Sequence, residues 1–208
     1  MPALEMLPLF LIAATALALT PGPDMAFTLA TSASRGSRAG LAAVAGIISG
    51  GAIWTIAAAA GLAAIVAASS HALMVIKYAG AAYLLWLALQ TVRKIDHLPS
   101  AKAGGNAARA FRQGLMTNLL NPKIGLFFLA LLPQFTTPET GPVWLQMLTL
   151  GAIFFGIGTV ILTGVAIAAG KAQERLQGSK TWRRALNGLA ATAFAGLGMR
   201  LLLSSDHG

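Results

Sequence analysis

A hydrophobic segment running from about Met6 to Ala33 is interrupted by Thr20-Pro21-Gly22-Pro23-Asp24. Proline removes a backbone donor and clashes one turn back, so two of them end a helix and leave carbonyls and amides without intrahelical partners. A soluble core gains nothing from such a break. In lipid the freed groups must be satisfied by protein, water or a ligand. A broken helix with an ionisable residue at membrane depth is a common way to build a transport site, so this segment restricts both the environment and the architecture of the chain.

The rest of the sequence agrees with that environment. Of 208 residues, 56% are hydrophobic and only 10% are charged, with a mean hydropathy of +0.72. The fold expected is an all-α integral membrane protein. Because the helices are apolar nearly all round, length is the criterion, and about 20 apolar residues cross the hydrocarbon. Six segments qualify: 5–32, 40–66, 72–92, 114–135, 144–169 and 187–204. The N-terminal segment has no basic leader, carries Glu5 and runs into the Pro-Gly-Pro break, so it is expected to be retained.

Charge gives the topology. Twelve of the fifteen Lys and Arg fall in the odd-numbered loops: Arg35, Arg38, Arg93, Lys94, Lys102, Arg109, Arg112, Lys171, Arg175, Lys180, Arg183 and Arg184. The even-numbered loops, about 67–71 and 136–143, carry none. The positive-inside bias puts odd loops in the cytoplasm and both termini outside. Topology thus accounts for the net charge of +9 without a nucleic-acid partner.

The stretch 95–111, with Pro99, Gly104 and Gly105, is the most linker-like and divides the spans three and three. The chain is expected to be one membrane transporter domain, with a first repeat over about 1–94, a cytoplasmic linker over about 95–111 and a second repeat over about 112–208. Two triplets joined in one chain cross the membrane in opposite senses, the inverted-repeat plan of many secondary transporters. The first helix of each half is broken, by Pro21, Gly22 and Pro23 in one and by Pro122, within Asn118-Leu119-Leu120-Asn121-Pro122-Lys123, in the other. Both breaks lie about 15 Å from the cytoplasmic end of their span at helical rise, near mid-membrane. Asp24 and Lys123 could therefore meet.

A carboxylate near the bilayer centre costs about 2.5–3.5 kcal/mol, and a neutral residue caps a helix about as well, which favours a binding role for Asp24 over a capping one. Lys123 is too deep to reach water easily, and Asp24 is its expected partner. Thr20, Asn118 and Asn121 complete the candidate site, the two amides serving either a substrate or the backbone freed by Pro122. Lys77 and Arg200 lie nearer the external ends of their spans and read as interface residues; Trp54, Trp86, Trp144 and Trp182 read as belts and packing. Small pairs such as Gly46 and Gly50 suit close helix contact.

No metal site is expected. Cysteine is absent, and His71, His97 and His207 have no carboxylates clustered beside them. An enzyme is not expected, since no Ser or Thr at depth has an evident His partner.

Several short motifs then come together. Thr20-Pro21-Gly22-Pro23, Lys77-Tyr78-Ala79-Gly80-Ala81-Ala82-Tyr83-Leu84, Phe111-Arg112-Gln113-Gly114, the Asn118 to Lys123 stretch and Pro133-Gln134-Phe135 resemble, in order and spacing over nearly the whole chain, the LysE/RhtB amino-acid exporters. Leu87-Ala88 departs from the Leu-Gly frequent in that family and touches only local packing. The resemblance implies a bacterial inner-membrane exporter of amino acids or close derivatives, driven by the proton gradient, with no cofactor. It leaves a homodimer open.

On this reading, carbonyls before Pro21 together with Asp24 suit an ammonium, while Lys123 and amides near Pro122 suit a carboxylate. With no second carboxylate at depth, a small neutral substrate is favoured over a basic one. An exporter of a metal ion or other small solute on the same scaffold is the alternative.

Overall fold

The computed structural model describes residues 5–61 and 107–175, together with ten single helical positions at Tyr78, Ala82, Leu85, Trp86, Leu89, Gly188, Thr192, Ala195, Gly196 and Met199. The spans expected at 72–92 and 187–204 therefore lie, apart from those positions, outside the described residues, as do Lys77, Trp182 and Arg200. Among the described residues all regular structure is helical.

The first segment is two helices, α1 (Leu7–Leu19) and α2 (Pro23–Arg35), bent by 46° at the expected break. Pro23 opens α2 at a first-turn position where its missing N–H costs nothing. Gly36, at φ +86°, closes α2 and turns directly into α3 (Ser37–Ala59), a conformation that glycine adopts without a Cβ penalty.

The second broken segment starts earlier than hydropathy suggests. Helix α4 spans Ala107–Leu119 rather than beginning near 114, so residues 107–111, expected in the linker, are already helix. After the break come α5 (Pro122–Leu126), a π-helical turn over Phe127–Leu131 and a short 3-10 turn over Leu132–Phe135. Helix α6 (Val143–Arg175) follows; its 33 residues extend about 50 Å, well past the hydrocarbon thickness, and carry Lys171 and Arg175 beyond the expected boundary at 169.

By length and composition, α3 and α6 can each cross a membrane, and the bent pair α1–α2 adds a third span among the described residues. Gln146 pins the turn before α6. Buried completely, it accepts from the Thr137 N–H at 3.1 Å and donates to the Thr137 and Gly141 carbonyls at 2.7 and 2.9 Å.

Two cores flank the breaks. On the side of Phe10 and Phe135 an aromatic cluster is built from Phe10, Phe127, Phe128, Phe135, Phe154 and Phe155, with the Phe127 and Phe154 rings stacked 4.1 Å apart. Trp54 stacks on Phe128, so it is a packing residue rather than part of a belt; Trp86 and Trp144 are exposed. The other core, around Phe27, Val44, Ile47, Ala110, Leu162 and Ala166, is built from smaller side chains.

Among the described residues the most extensive helix contact joins α3 to α4. There a Cβ on Gly46 would run into the Phe111 carbonyl, and one on Gly114 into the Ala43 carbonyl, so each helix presses its bare backbone on the other. Backbone cannot rotate aside as a side chain can. Gly46→Ala is therefore expected to destabilise the protein by about 1–3 kcal/mol, the usual cost of overpacking, read as a lower unfolding temperature in detergent.

Candidate functional site

Each break leaves a specific debt in the backbone. The Leu17 carbonyl would accept from residue 21, but Pro21 has no N–H, so it is an orphan acceptor. In the second break Pro122 deprives the Asn118 carbonyl in the same way, and the Asn121 N–H bonds to it instead at 3.0 Å. The Asn121 side chain accepts from the Lys123 N–H at 3.1 Å, capping α5.

The second debt is settled within its own break, and the first from the other broken segment. The Lys123 Nζ donates to the Leu17 carbonyl at 3.1 Å and to the Thr20 carbonyl at 2.9 Å, closing the C-terminal end of α1. A cation there also meets the negative end of the helix dipole. Gly22 makes room: a Cβ on it would lie 3.1 Å from that Nζ. From α4, the Asn118 Nδ2 donates to the Asp24 Oδ2 at 2.8 Å. Asn118 lies flat on Gly50 of α3, whose missing Cβ would come within 2.8 Å of its Oδ1.

Asp24, Lys123, Asn118 and Asn121 are thus brought together as expected, but their pairing differs. Lys123 takes backbone carbonyls, and Asp24 takes the Asn118 amide, with no direct ion pair between them. Neither does Asp24 cap its helix: α2 has no side-chain cap, and Asp24 sits buried in the first turn. Thr20 contributes its carbonyl; its exposed hydroxyl donates back to Ala16 at 2.8 Å. Pro21 is exposed, while Gly22 and Pro23 are buried beside Asp24.

Asp24 and Lys123 line one cavity of about 40 Å³, room for a few water molecules and not for an amino acid. Around it, buried polar atoms lack hydrogen-bond partners: Asp24 Oδ1, Asn118 Oδ1, Asn121 Nδ2 and, one turn along α2, Thr28 Oγ1. Such atoms are rare in folded proteins; among the described residues one other, Trp54 Nε1, lies in the aromatic core, and the concentration of the rest makes this place the candidate site.

The sequence reading missed the polar faces that lead to this point. On α2, Asp24, Thr28, Thr31 and Ser32 are all buried; on α4, so are Gln113, Thr117 and Asn118. At the far end of the seam the Arg35 guanidinium reaches the Gln113 Oε1 at 3.4 Å. The helical spacing of 24, 28, 31 and 35 was available as a signal, but Thr and Ser do not register on a hydropathy scale as either core or charge.

Over most of its length the chain is similar in sequence to known efflux proteins. The chain is 34% identical over 201 residues to the homoserine/homoserine lactone efflux protein of Salmonella typhimurium, covering 95% of this chain and 96% of that one. It is 30% identical to the threonine efflux protein of Salmonella typhi, with 89% and 92% covered, and 28% identical to the leucine efflux protein of an Enterobacter species, with 92% of each covered. No solved structure matches. The family profile described as LysE type translocator matches residues 15–205, nearly the whole sequence, and the chain belongs to that family.

Proposed function

We propose that this protein is a secondary active exporter of amino acids or close derivatives, small neutral ones above all, that exchanges them for protons. The observation that carries the reading is the meeting of two broken helices with a carboxylate and an ammonium on one cavity. Relatives named for efflux of homoserine, threonine and leucine support the same substrate class. The site lies in the bilayer interior of a bacterial inner membrane, with Arg35 and Arg109 toward the cytoplasm and both termini outside, on the charge bias described above.

An amino acid is a zwitterion, and the cavity offers one group for each pole. The free Asp24 Oδ1 suits the ammonium and the Lys123 ammonium suits the carboxylate. The carbonyls of Leu17 and Thr20 are held by Lys123, so they are not open to a substrate in this arrangement. Binding through Lys123 therefore draws on the same ammonium that holds the end of α1, which links occupancy of the site to the geometry of the break. A proton taken by Asp24 from outside removes the charge that holds the substrate ammonium, so uptake of one favours release of the other.

The test is export of a labelled amino-acid mixture from proteoliposomes under an imposed pH gradient. Faster loss of particular amino acids than from protein-free vesicles is the expected result and names the substrates. No gradient-dependent loss from correctly inserted protein would overturn the reading.

A further inference from the structure

Asp24 and Lys123 are the two charged groups among the described residues of the cavity lining. On α6, Phe154, Gly158 and Leu162 follow one another at four-residue steps, so they form a single stripe facing it, with Phe155 beside them and Ile47 of α3 opposite. Apart from Asp24 and Lys123, the described lining is entirely apolar. The hydroxyls carried by these two helices nearby, Ser49, Thr55 and Thr159, donate to their own helix carbonyls at 2.9, 2.8 and 2.6 Å. Thr28, whose hydroxyl is free, does not line the cavity.

We infer that this α6 and α3 wall is the side-chain subsite, and that it selects amino acids with aliphatic side chains, such as leucine and valine, over hydroxylated ones such as homoserine and threonine. The inference rests on the amino-acid export reading and goes beyond it. With its ammonium and carboxylate on Asp24 and Lys123, a substrate points its side chain at hydrocarbon. Against the described lining a hydroxyl loses water and meets no polar group beyond the two charged ones, whereas each methylene is favourably buried. Sequence identity points the other way, since the homoserine relative is more similar than the leucine one.

Gly158 sets the depth of the subsite. A Cβ built on it meets no described atom within 4 Å. Serine would bring a hydroxyl to the wall, and leucine would fill it.

The experiment uses proteoliposomes holding the full chain and loaded with equal labelled leucine, valine, homoserine and threonine under an outward-acid pH gradient. From the wild type, leucine and valine should leave about tenfold or more faster than the hydroxylated pair, the scale on which apolar pockets discriminate. Gly158→Ser should narrow that ratio several-fold, and Gly158→Leu should slow leucine most. Equal rates, or faster loss of homoserine and threonine, would overturn the aliphatic subsite while leaving an amino-acid exporter. Ratios unchanged in both variants would overturn the assignment of its wall to α6. If no amino acid leaves through correctly inserted wild-type protein, the export reading fails and this inference with it.

Discussion

Asp24→Asn protein should insert, fold and bind its neighbours almost as before, yet fail to accumulate any amino acid outside when a pH gradient is imposed. The substitution nearly preserves shape. An asparagine turned to present its oxygen to Asn118 Nδ2 keeps the 2.8 Å hydrogen bond and loses the longer-range attraction between the carboxylate and the Asn121 amide. What disappears is the group that can carry a proton. One pH unit is worth about 1.4 kcal/mol per proton, so an exporter moving one proton per substrate sustains a concentration ratio of about ten. Without the coupling group that ratio falls to about one, whatever the gradient. Counting labelled substrate on both sides of sealed vesicles at steady state reads it directly. A ratio in Asp24→Asn that still follows the gradient would remove Asp24 from the coupling step.

Lys123→Met should be the most damaging single change to both folding and transport. It removes the donor to two carbonyls at the end of α1, and the two fates differ. The Thr20 carbonyl is on the exposed side and can return to water, whereas the Leu17 carbonyl is partly buried and is orphaned by Pro21. A charge-assisted hydrogen bond contributes about 1.5–3 kcal/mol, so a loss of about 2 kcal/mol is expected, carried mostly by Leu17. Export should fall more than tenfold, because the same ammonium is the only cationic group among the described residues of the cavity lining. Lys123→Gln, which keeps a donor without the charge, should recover much of the stability and none of the export. Thermal unfolding in detergent and vesicle export separate the two effects; export retained in Lys123→Gln would show that the charge is not used for substrate.

How much of this was legible in the sequence depends on what each signal measures. Proline at 21 and 122 fixes where backbone hydrogen bonding fails, and both breaks stand where those residues put them. Charge alone suggested that Lys123 would seek Asp24. It turned instead to carbonyls, because a helix end supplies several aligned acceptors that no residue letter displays. Hydropathy placed the start of α4 near 114 since Arg109 and Arg112 lower the average, but an amphipathic helix needs only one apolar face, and Ala110 is fully buried on it. The same averaging cut α6 short of Arg175. The buried seam of Thr28, Thr31 and Ser32 shows in helical spacing but not in hydropathy, because small hydroxyl residues suit the inside of a helix pair as well as its outside.

The backbone-to-backbone seat of Gly46 on Phe111 and of Gly114 on Ala43 ties a helix from before residue 95 to one from after it. Lys123 and Asn118 make the same crossing. The mechanical units of this protein are therefore not the two stretches of chain that its sequence order suggests. A seesaw of residues 5–61 against residues 107–175 would have to prise apart the most extensive helix contact among the described residues. A motion that opens the site has to carry α3 and α4 together, and with them the end of α6 where Gly170 seats on the Ser37 backbone.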